Sequence, residues 1–209
     1  MTSLRFHGVR FGYRAGRPVL ARLDLTVGPG LTLLTGANGS GKSTLLRLAA
    51  GVERPHEGTV EVDGLDLARD EVEARRRLAY VPEHPDVSPY ASVRDLLRLV
   101  CRLRGEPLPR MDAVLAAAGL SGLDRHGIRE LSHGQRRRAL LAASWIGDPP
   151  VLLLDEPLEA MDAPMRARIV EWVGRTVAGG GLALASTHTP AAWAAIPHRV
   201  LTLSEGKVV

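Results

Sequence analysis

Short apolar runs alternate along the chain with segments that have the periodicity of helices. Residues 151–154 are wholly apolar and residues 31–35 and 182–186 are mostly apolar, which is typical of strands buried on both faces of a parallel sheet. Further strands are predicted within 4–27 and at 59–64, 78–81 and 199–203, and helices at 45–50, at 135–146 and from Pro164 onward. Strands that alternate with helices in this way predict an α/β fold with a parallel sheet.

The pattern changes between residues 85 and 131, where helices are predicted without strands. Ser92 is a suitable N-cap for a helix that runs to about Arg104, and a second helix is predicted over residues 111–118. Connections rich in proline and glycine bracket both helices. We therefore expect a single domain over residues 1–209 that contains a helical insert at about 85–131.

The length and composition fit one cytosolic globular domain. The chain has 209 residues, of which 45% are hydrophobic and 24% are charged, as in an ordinary folded protein. No uncharged apolar run reaches the roughly 18 residues that would predict a membrane-spanning helix, and the first residues lack the plan of a signal peptide. The single cysteine, Cys101, lies in an apolar run and is expected to be a buried structural thiol in a reducing cytosol.

The basic character of the chain needs an explanation, because basic proteins often bind nucleic acids. The formal net charge is +4, and 27 residues are Lys or Arg. Nearly all of these are arginines scattered along the sequence, so we attribute the charge to composition and solvated helix faces and expect no nucleic-acid partner. The only lysines are Lys42 and Lys207. A lysine in a chain that otherwise uses arginine indicates that position 42 needs the compact ammonium group.

A phosphate-binding loop follows the apolar run at 31–35. The spacing Gly-x4-Gly-Lys-Ser over residues 36–43 is the Walker A pattern, with a strand before it and a helix after it. The glycines allow backbone N–H groups to surround an anion at the helix N-terminus. Lys42 would reach the β- and γ-phosphates, and the Ser43 hydroxyl would ligate Mg²⁺. The predicted nucleotide-binding residues here are Gly36, Ala37, Asn38, Gly39, Ser40, Gly41, Lys42, Ser43 and Thr44.

Two carboxylates end the apolar run at 151–154. In open α/β sheets the ligand site lies at the carboxyl ends of the strands, so Asp155 and Glu156 are expected near the phosphate loop. Asp155 is suited to the Mg²⁺ shell, and Glu156 is suited to orient or deprotonate a water in line with the γ-phosphate. Acidic residues commonly end strands, so this prediction depends on the phosphate loop that accompanies it.

A third motif, Leu-Ser-His-Gly-Gln at residues 131–135, precedes a predicted helix. Ser132 is a suitable N-cap for that helix. Together with the two preceding motifs, the sequence resembles the ATP-binding-cassette (ABC) ATPases over essentially its whole length. The family signature is Leu-Ser-Gly-Gly-Gln, so His133 here replaces the first glycine. The resemblance implies a P-loop NTPase core with a mostly parallel sheet, an N-terminal antiparallel β subdomain and a helical insert.

The resemblance implies roles for further residues. Tyr13 has the position of the aromatic residue that stacks on adenine, although Phe11 is an alternative, and His188 has that of the catalytic switch histidine. Residues 161–162 correspond to the D-loop. Glu83 stands where relatives have a glutamine that reaches Mg²⁺ and the γ-phosphate. Because a carboxylate binds hard cations well, Glu83 is expected to be a metal ligand; the alternative is a residue that only shapes its loop and affects coupling to transport.

The resemblance also implies how the domain works. Family members dimerise head to tail, so that each ATP lies between the phosphate loop of one subunit and the signature of a second ABC ATPase subunit. In this chain the signature contacts would come from Ser132, Gly134 and Gln135. We expect an ATPase that uses ATP and Mg²⁺ and is peripheral at the cytoplasmic face of the membrane. It would drive a separate membrane permease. Among family members, the sequence most resembles the cassettes of drug, antibiotic or lipid exporters.

Two alternative functions stay open on the sequence. A soluble ABC ATPase of a cofactor-assembly complex, of the iron–sulfur scaffold kind, would have the same motifs. A nucleic-acid or chromosome-maintenance cassette is disfavoured, because such proteins insert long coiled coils or join two cassettes in one chain, and this sequence has neither.

Overall fold

The computed structural model describes residues 1–84 and 87–209, which form ten strands and six α-helices. The strands are β1 (Leu4–Phe11), β2 (Leu20–Val27), β3 (Gly30–Thr35), β4 (Glu57–Val62), β5 (Leu65–Asp66), β6 (Leu78–Val81), β7 (Val151–Leu154), β8 (Leu182–Ser186), β9 (His198–Ser204) and β10 (Lys207–Val208). The helices are α1 (Lys42–Ala49), α2 (Glu71–Arg76), α3 (Val93–Arg104), α4 (Arg110–Ala117), α5 (His133–Trp145) and α6 (Ala163–Ala178).

The chain divides into two compact units. The first consists of Met1–Glu83, Pro150–Pro157 and Val170–Val209. The second consists of His84–Pro149 and Leu158–Ile169. All ten strands belong to the first unit, and the helices α3, α4 and α5 belong to the second.

The main sheet of the first unit has the strand order β10-β9-β3-β8-β7-β6. Its strands are parallel except for β10, which pairs antiparallel with β9. Every residue of β7 and β8 is buried, as expected for central strands that are covered on both faces. The predicted α/β fold with a mostly parallel sheet is therefore confirmed.

A second, antiparallel sheet in the first unit has the order β2-β1-β4-β5. Along β1, Leu4, Phe6, Val9 and Phe11 are buried and the residues between them are more exposed, which is the period-two pattern of a strand with one covered face, interrupted by a register shift between Phe6 and Val9. These side chains join a core cluster that also contains α1 and the inner face of the main sheet. The predicted N-terminal antiparallel β subdomain is present.

The second unit is helical. Its α3, α4 and α5 pack on one another, and Cys101 on α3 is fully buried. Burial raises the pKa of the Cys101 thiol, which fits the predicted structural role. Ser92 caps α3 as predicted, since its Oγ accepts a hydrogen bond from the backbone N–H of Asp95 at 3.1 Å.

The second unit is larger than the predicted insert at 85–131, because it also contains α5 and the segment Leu158–Ile169. Residues 85 and 86, at the predicted start of the insert, lie outside the described residues. Within the described parts of the chain, no helix has both the length and the apolar character needed to cross a bilayer.

Candidate active site

The phosphate loop connects β3 to α1 and is built on glycines that no other residue could replace without strain. Gly36 has φ of 142°, and a Cβ at this position would lie 2.3 Å from the carbonyl oxygen of Leu203. Gly41, with φ of 107°, is the N-cap of α1. The loop therefore takes a backbone conformation that only glycine adopts readily, and it ends at the N-terminus of a helix.

Lys42 is the first residue of α1 and is held inside the loop. Its side chain is only 8% exposed, and Nζ donates to the carbonyl oxygens of Gly36 at 2.8 Å and Ala37 at 3.2 Å. The Oγ of Ser40 is also buried and makes no hydrogen bond within the described residues. A buried ammonium, an unused hydroxyl and a helix N-terminus together form a site suited to a phosphate group.

The strands of the main sheet bring the remaining site residues to the same edge. Leu34 of β3 pairs with Ser186 of β8, and Leu154 of β7 pairs with Val81 of β6. The backbone N–H of Asp155 continues this ladder by donating to the carbonyl of Val81 at 2.8 Å. Because these strands are parallel, the phosphate loop and the residues that follow β6, β7 and β8 all emerge at their carboxyl edge.

Glu156 and His188 meet at this edge. Nε2 of His188 lies 3.4 Å from Oε1 of Glu156, and the backbone N–H of His188 donates to Oε2 at 3.3 Å. The Glu156 side chain is 12% exposed, against 55% for His188. The carboxylate is therefore oriented by two groups of one residue, while the imidazole stays accessible from solvent.

The backbone of Glu156 is in the left-handed region, with φ of 46°. A residue with a side chain adopts this conformation at a cost of about 1–3 kcal/mol. Such conformations occur in functional sites where surrounding contacts compensate for the strain. The conformation turns the chain sharply between Asp155 and the segment that follows.

Ser186 is the contact residue that the sequence pattern did not single out. It ends β8, is fully buried, and its Oγ donates to Oδ1 of Asp155 at 2.6 Å. The same Oγ accepts from the backbone N–H of Glu156 at 2.8 Å. A hydroxyl that ends an otherwise apolar buried strand must find polar partners, and this was the available signal.

Tyr13 and Phe11, the two candidates for stacking on adenine, differ in exposure. Phe11 is 4% exposed and forms part of the core, whereas Tyr13 is 54% exposed. The Tyr13 ring stands edge-on to Phe11, with 5.0 Å between the ring centroids. Of the two aromatic residues, Tyr13 is therefore the one whose ring is accessible to a ligand.

Arg47, on the last turn of α1, contacts the hydroxyl end of Tyr13. Its Nη1 donates to the Tyr13 hydroxyl at 3.3 Å, and this hydrogen bond is the main cause of a raised Arg47 pKa. Tyr80 on β6 also lies close to Arg47. Burial is the main cause that raises the pKa of Tyr80 to about 12, and the charge of Asp155 adds to it.

The signature residues belong to the second unit and begin α5. Ser132 and Gln135 form a capping box, in which the Gln135 N–H donates to Ser132 Oγ at 3.2 Å and the Ser132 N–H donates to Gln135 Oε1 at 2.9 Å. A Cβ on Gly134 would meet only the carbonyl oxygen of Ala160, at an ordinary 3.6 Å. The fold of this chain does not itself require glycine at position 134. Close approach by a ligand to the backbone is a remaining reason for a glycine at this position.

His133, the departure from the family signature, is exposed on the first turn of α5 and does not have a positive φ. In the D-loop segment, Asp162 caps α6, since its Oδ1 accepts from the Met165 N–H at 3.0 Å. Oδ2 of Asp162 accepts from Nη2 of Arg138 on α5 at 2.6 Å. The D-loop is thus tied to the signature helix within the second unit.

Glu83 is half-buried and follows β6 by two residues. It is the last residue of the first unit before the chain enters the second. Its predicted role as a metal ligand stays a prediction, as do the ligand-binding roles of Tyr13 and the signature residues.

Sequence comparison identifies relatives over most of the chain. Residues 20–159 match the family described as ABC transporter. The chain is 35% identical over 202 residues to the cytochrome c biogenesis ATP-binding export protein CcmA of Xanthomonas oryzae, which covers 96% of this chain and 93% of the relative. It is 39% identical over 161 residues to the sulfate/thiosulfate import ATP-binding protein CysA of Mycobacterium tuberculosis, covering 75% and 46% respectively.

The fold is similar to those of solved ABC proteins. A dimeric bacterial ABC transporter cassette matches with a TM-score of 0.87 at 23% identity, over 98% of this chain and 96% of that one. A bacterial Atm1-family ABC exporter with ATP bound matches with a TM-score of 0.84 at 25% identity, over 100% of this chain and 38% of that one. With the family match covering the phosphate loop and both strand-end carboxylates, the chain belongs to the ABC transporter family, as one of its ATP-hydrolysing nucleotide-binding domains.

Proposed function

We propose that this domain powers an exporter, by pairing head to tail with a second cassette around two ATP molecules and driving a separate membrane permease. The observation that carries the proposal is the convergence at one sheet edge of the phosphate loop, Asp155, and the Glu156–His188 pair. A nucleotide seated in that loop has its terminal phosphate toward groups that can activate water.

ATP would be bound at both of its ends. The triphosphate fits the loop, where Lys42 and the N-terminus of α1 offer positive charge to it. The accessible Tyr13 ring is suited to stack on adenine, because aromatic rings pack well in offset face-to-face contacts. The support for this role is its exposure together with the burial of its rival, Phe11.

Glu156 is proposed as the general base. Its carboxylate would accept a proton from the water that attacks the γ-phosphorus, while the bond to ADP breaks on the opposite side. His188 contacts both carboxylate oxygens, through its ring and its backbone N–H, so it is suited to keep the carboxylate oriented and to approach the γ-phosphate. Because the His188 side chain is 55% exposed, its imidazole can reach the γ-phosphate without a change in the fold.

The residues at the site fit a magnesium ion. Ser43 and Asp155 provide hard oxygen atoms, and Glu83 would add a third. No group of three His, Cys, Asp or Glu side chains among the described residues forms a complete metal site. Mg²⁺ in nucleotide sites needs only one or two protein oxygens beside phosphates and water, so the donors present suffice. When bound, the ion would neutralise charge on the phosphates.

The signature would complete the site of the second cassette. α5 has its N-terminus at His133, and Gly134 leaves room for a phosphate to approach the backbone. A γ-phosphate bound to one cassette alone would remain partly solvated, so ATP would stabilise the pair. The match to a dimeric cassette agrees with this arrangement at the level of the fold.

The direction of transport is proposed from the relatives. CcmA, named as an export protein, matches nearly the whole of both chains, whereas CysA, named as an import protein, matches less than half of its own length. The sequence segments around Glu83 and α3 resemble exporter cassettes as well. We therefore favour export, with the membrane-spanning part supplied by another subunit.

The first experiment is Glu156→Gln, which keeps the shape of the side chain and removes the base. We expect ATP binding to persist and turnover to fall by about 10²–10⁴-fold, so that an ATP-bound dimer accumulates. Phosphate release measures turnover, and size-exclusion chromatography with and without ATP measures the dimer. Hydrolysis at the wild-type rate would contradict the role of Glu156.

The second experiment tests the membrane partner. The tagged chain, expressed in its own host and gently extracted with detergent, is expected to co-purify with a protein that has several membrane spans. Co-purification with soluble scaffold proteins alone would instead favour a cofactor-assembly ATPase. The same purification with the Glu156→Gln variant serves as the matched control, because it shows whether co-purification depends on ATP hydrolysis.

A further inference from the structure

We propose that Ser186 is a positioning residue of the ATPase site, whose hydroxyl holds Asp155 and Glu156 in their working geometry. The inference rests on the proposed role of Glu156 as general base. Ser186 is fully buried at the end of β8, and its Oγ lies 2.6 Å from Oδ1 of Asp155 and 2.8 Å from the backbone nitrogen of Glu156. One side-chain atom therefore joins both strand-end acids.

The direction of the two hydrogen bonds is fixed by their chemistry. The backbone N–H of Glu156 can only donate, so it must use a lone pair of the Ser186 oxygen. The single hydroxyl hydrogen is then left for Oδ1 of Asp155. A hydroxyl that accepts at one side and donates at the other has its rotation fixed, and its hydrogen then constrains the position of Oδ1 of Asp155.

The bond to the Glu156 N–H acts where the backbone is strained. Glu156 has φ of 46°, a conformation that is unfavourable for a residue with a Cβ. The Ser186 oxygen gives the N–H of this residue a partner in that conformation. Loss of this hydrogen bond would remove a contact that holds the backbone of Glu156 in its left-handed conformation, and a shift of that backbone would move the carboxylate.

The end of β8 and the residues just after it thus hold Glu156 at two points. Ser186 binds its backbone, while His188 binds its carboxylate through the ring at 3.4 Å and the backbone N–H at 3.3 Å. The contact with Ser186 fixes the backbone from which the Glu156 side chain starts, and the contacts with His188 fix its carboxylate. A base held at both points is aligned before substrate arrives, which is the condition for efficient proton transfer.

The decisive experiment compares Ser186→Thr with Ser186→Val. The two side chains have nearly the same volume, so any strain from the added methyl group is common to both, and they differ in the hydroxyl. Turnover, KM for ATP and thermal stability are measured for each. We expect the Val variant to have a kcat about 10–100-fold below that of the Thr variant, with KM within roughly threefold, since a small misplacement of reacting groups reduces the rate to this extent.

Two further variants make the result independent of folding defects. Ser186→Ala adds no bulk and is expected to lose kcat as the Val variant does, while still binding a fluorescent ATP analogue. Ser144→Ala is the matched control, because Ser144 is also a buried serine, and its Oγ donates within α5 to the carbonyl of Leu141 at 2.7 Å. This control should retain the wild-type kcat even if its melting temperature falls by a similar amount.

The outcomes separate this inference from the function on which it rests. A wild-type kcat in Ser186→Ala, or equal kcat values for the Thr and Val variants, would overturn the positioning role. If these results came with an inactive Glu156→Gln variant, the general base would stand and Ser186 alone would be excluded. If Glu156→Gln were itself fully active, the proposed base would be wrong whatever Ser186 does.

Discussion

Lys42 is one of only two lysines among 27 basic residues, and its Nζ makes its hydrogen bonds to two carbonyl oxygens inside the phosphate loop. We predict that Lys42→Ala and Lys42→Arg both lower affinity for ATP by about 10–100-fold, the usual cost of losing a buried charged hydrogen bond. The guanidinium is planar and bulkier, so it cannot take the place of a point charge there.

Equilibrium titration with a fluorescent ATP analogue tests this prediction, and ATPase rates extend it to turnover. Lys207→Arg is the matched control, because Lys207 is exposed on β10 and should tolerate the same exchange without effect. A Lys42→Arg variant that bound and hydrolysed ATP normally would mean that the choice of lysine at this position is accidental.

Arg47 is expected to act on ATP through Tyr13, because its Nη1 donates to the Tyr13 hydroxyl at 3.3 Å and the ring is otherwise exposed. We predict that Arg47→Met and Tyr13→Phe each lower ATP affinity by about 2–10-fold, the range for one hydrogen bond. The double variant should be no weaker than either single one, since both remove the same bond. Tyr13→Ala, which removes the ring, should cost more.

The same titration applied to the wild type, the two single variants and the double variant gives a double-mutant cycle. Additive losses for Arg47→Met and Tyr13→Phe would show that the arginine does not act through the tyrosine. If Tyr13→Ala bound ATP as well as the wild type, the stacking role proposed for Tyr13 would itself be wrong.

The residues that sequence analysis missed are those whose partners are distant in the chain. Ser186 is 31 positions from Asp155, and Arg47 is 34 positions from Tyr13. Motif spacing predicts which residues bind phosphate directly, because a single loop or strand end holds them. It carries no information about which hydroxyl or guanidinium on another element reaches them.

At the scale of secondary-structure elements, the N-terminus of α5 explains why a histidine is compatible with the signature. His133 is exposed and helical, and the Ser132–Gln135 capping box closes without its side chain. We therefore predict that His133→Gly changes ATPase activity by no more than a few-fold, since glycine on a first helical turn costs under about 1 kcal/mol.

The measurement is steady-state phosphate release, with His133→Ala as the control for helix propensity. A hundredfold loss in the glycine variant, with the alanine variant affected to the same degree, would show that the imidazole takes part in the reaction. Loss in the glycine variant alone would point to weakening of α5.

The success of the element predictions followed the strength of the apolar pattern. The runs at 151–154 and 182–186 became β7 and β8 with the same bounds, because a strand in the centre of a parallel sheet must be apolar throughout. α2 was not predicted: of its six residues, Glu71–Arg76, only Ala74 is buried, so no helical periodicity exists to detect. β10 has two residues and depends on its pairing with β9.

At the scale of the whole molecule, the alternation of elements predicts a parallel sheet, but it does not predict the order of strands. The order puts β8 between β3 and β7, so Ser186 and His188 come to lie between the phosphate loop and Asp155. This pairing joins segments from opposite ends of the chain and is fixed by long-range packing. The position of His188 could therefore be inferred only through the family resemblance, whereas that of Glu156 could be inferred from the end of its apolar strand.

Glu83 follows β6, at the sheet edge where the other site residues lie. It is also the last residue of the first unit before the chain enters the second. Val81, two residues earlier, accepts a hydrogen bond from the N–H of Asp155 at 2.8 Å. A carboxylate at this place would be repelled by Glu156 and the triphosphate unless a cation lay among them. This argument favours a metal ligand over a residue that only shapes the loop.

We predict that Glu83→Gln raises the Mg²⁺ concentration needed for half-maximal ATPase activity by several-fold and leaves nucleotide binding largely intact, because an amide oxygen binds a hard cation less strongly than a carboxylate. The measurement is a Mg²⁺ titration of activity at saturating ATP, with metal-free binding of a fluorescent ATP analogue as a second readout. Glu73→Gln is the control, since Glu73 is a surface residue of α2 paired with Arg76. A Glu83→Gln titration that overlays the wild-type curve would exclude the metal role, and a loss confined to transport would then assign Glu83 to coupling with the permease.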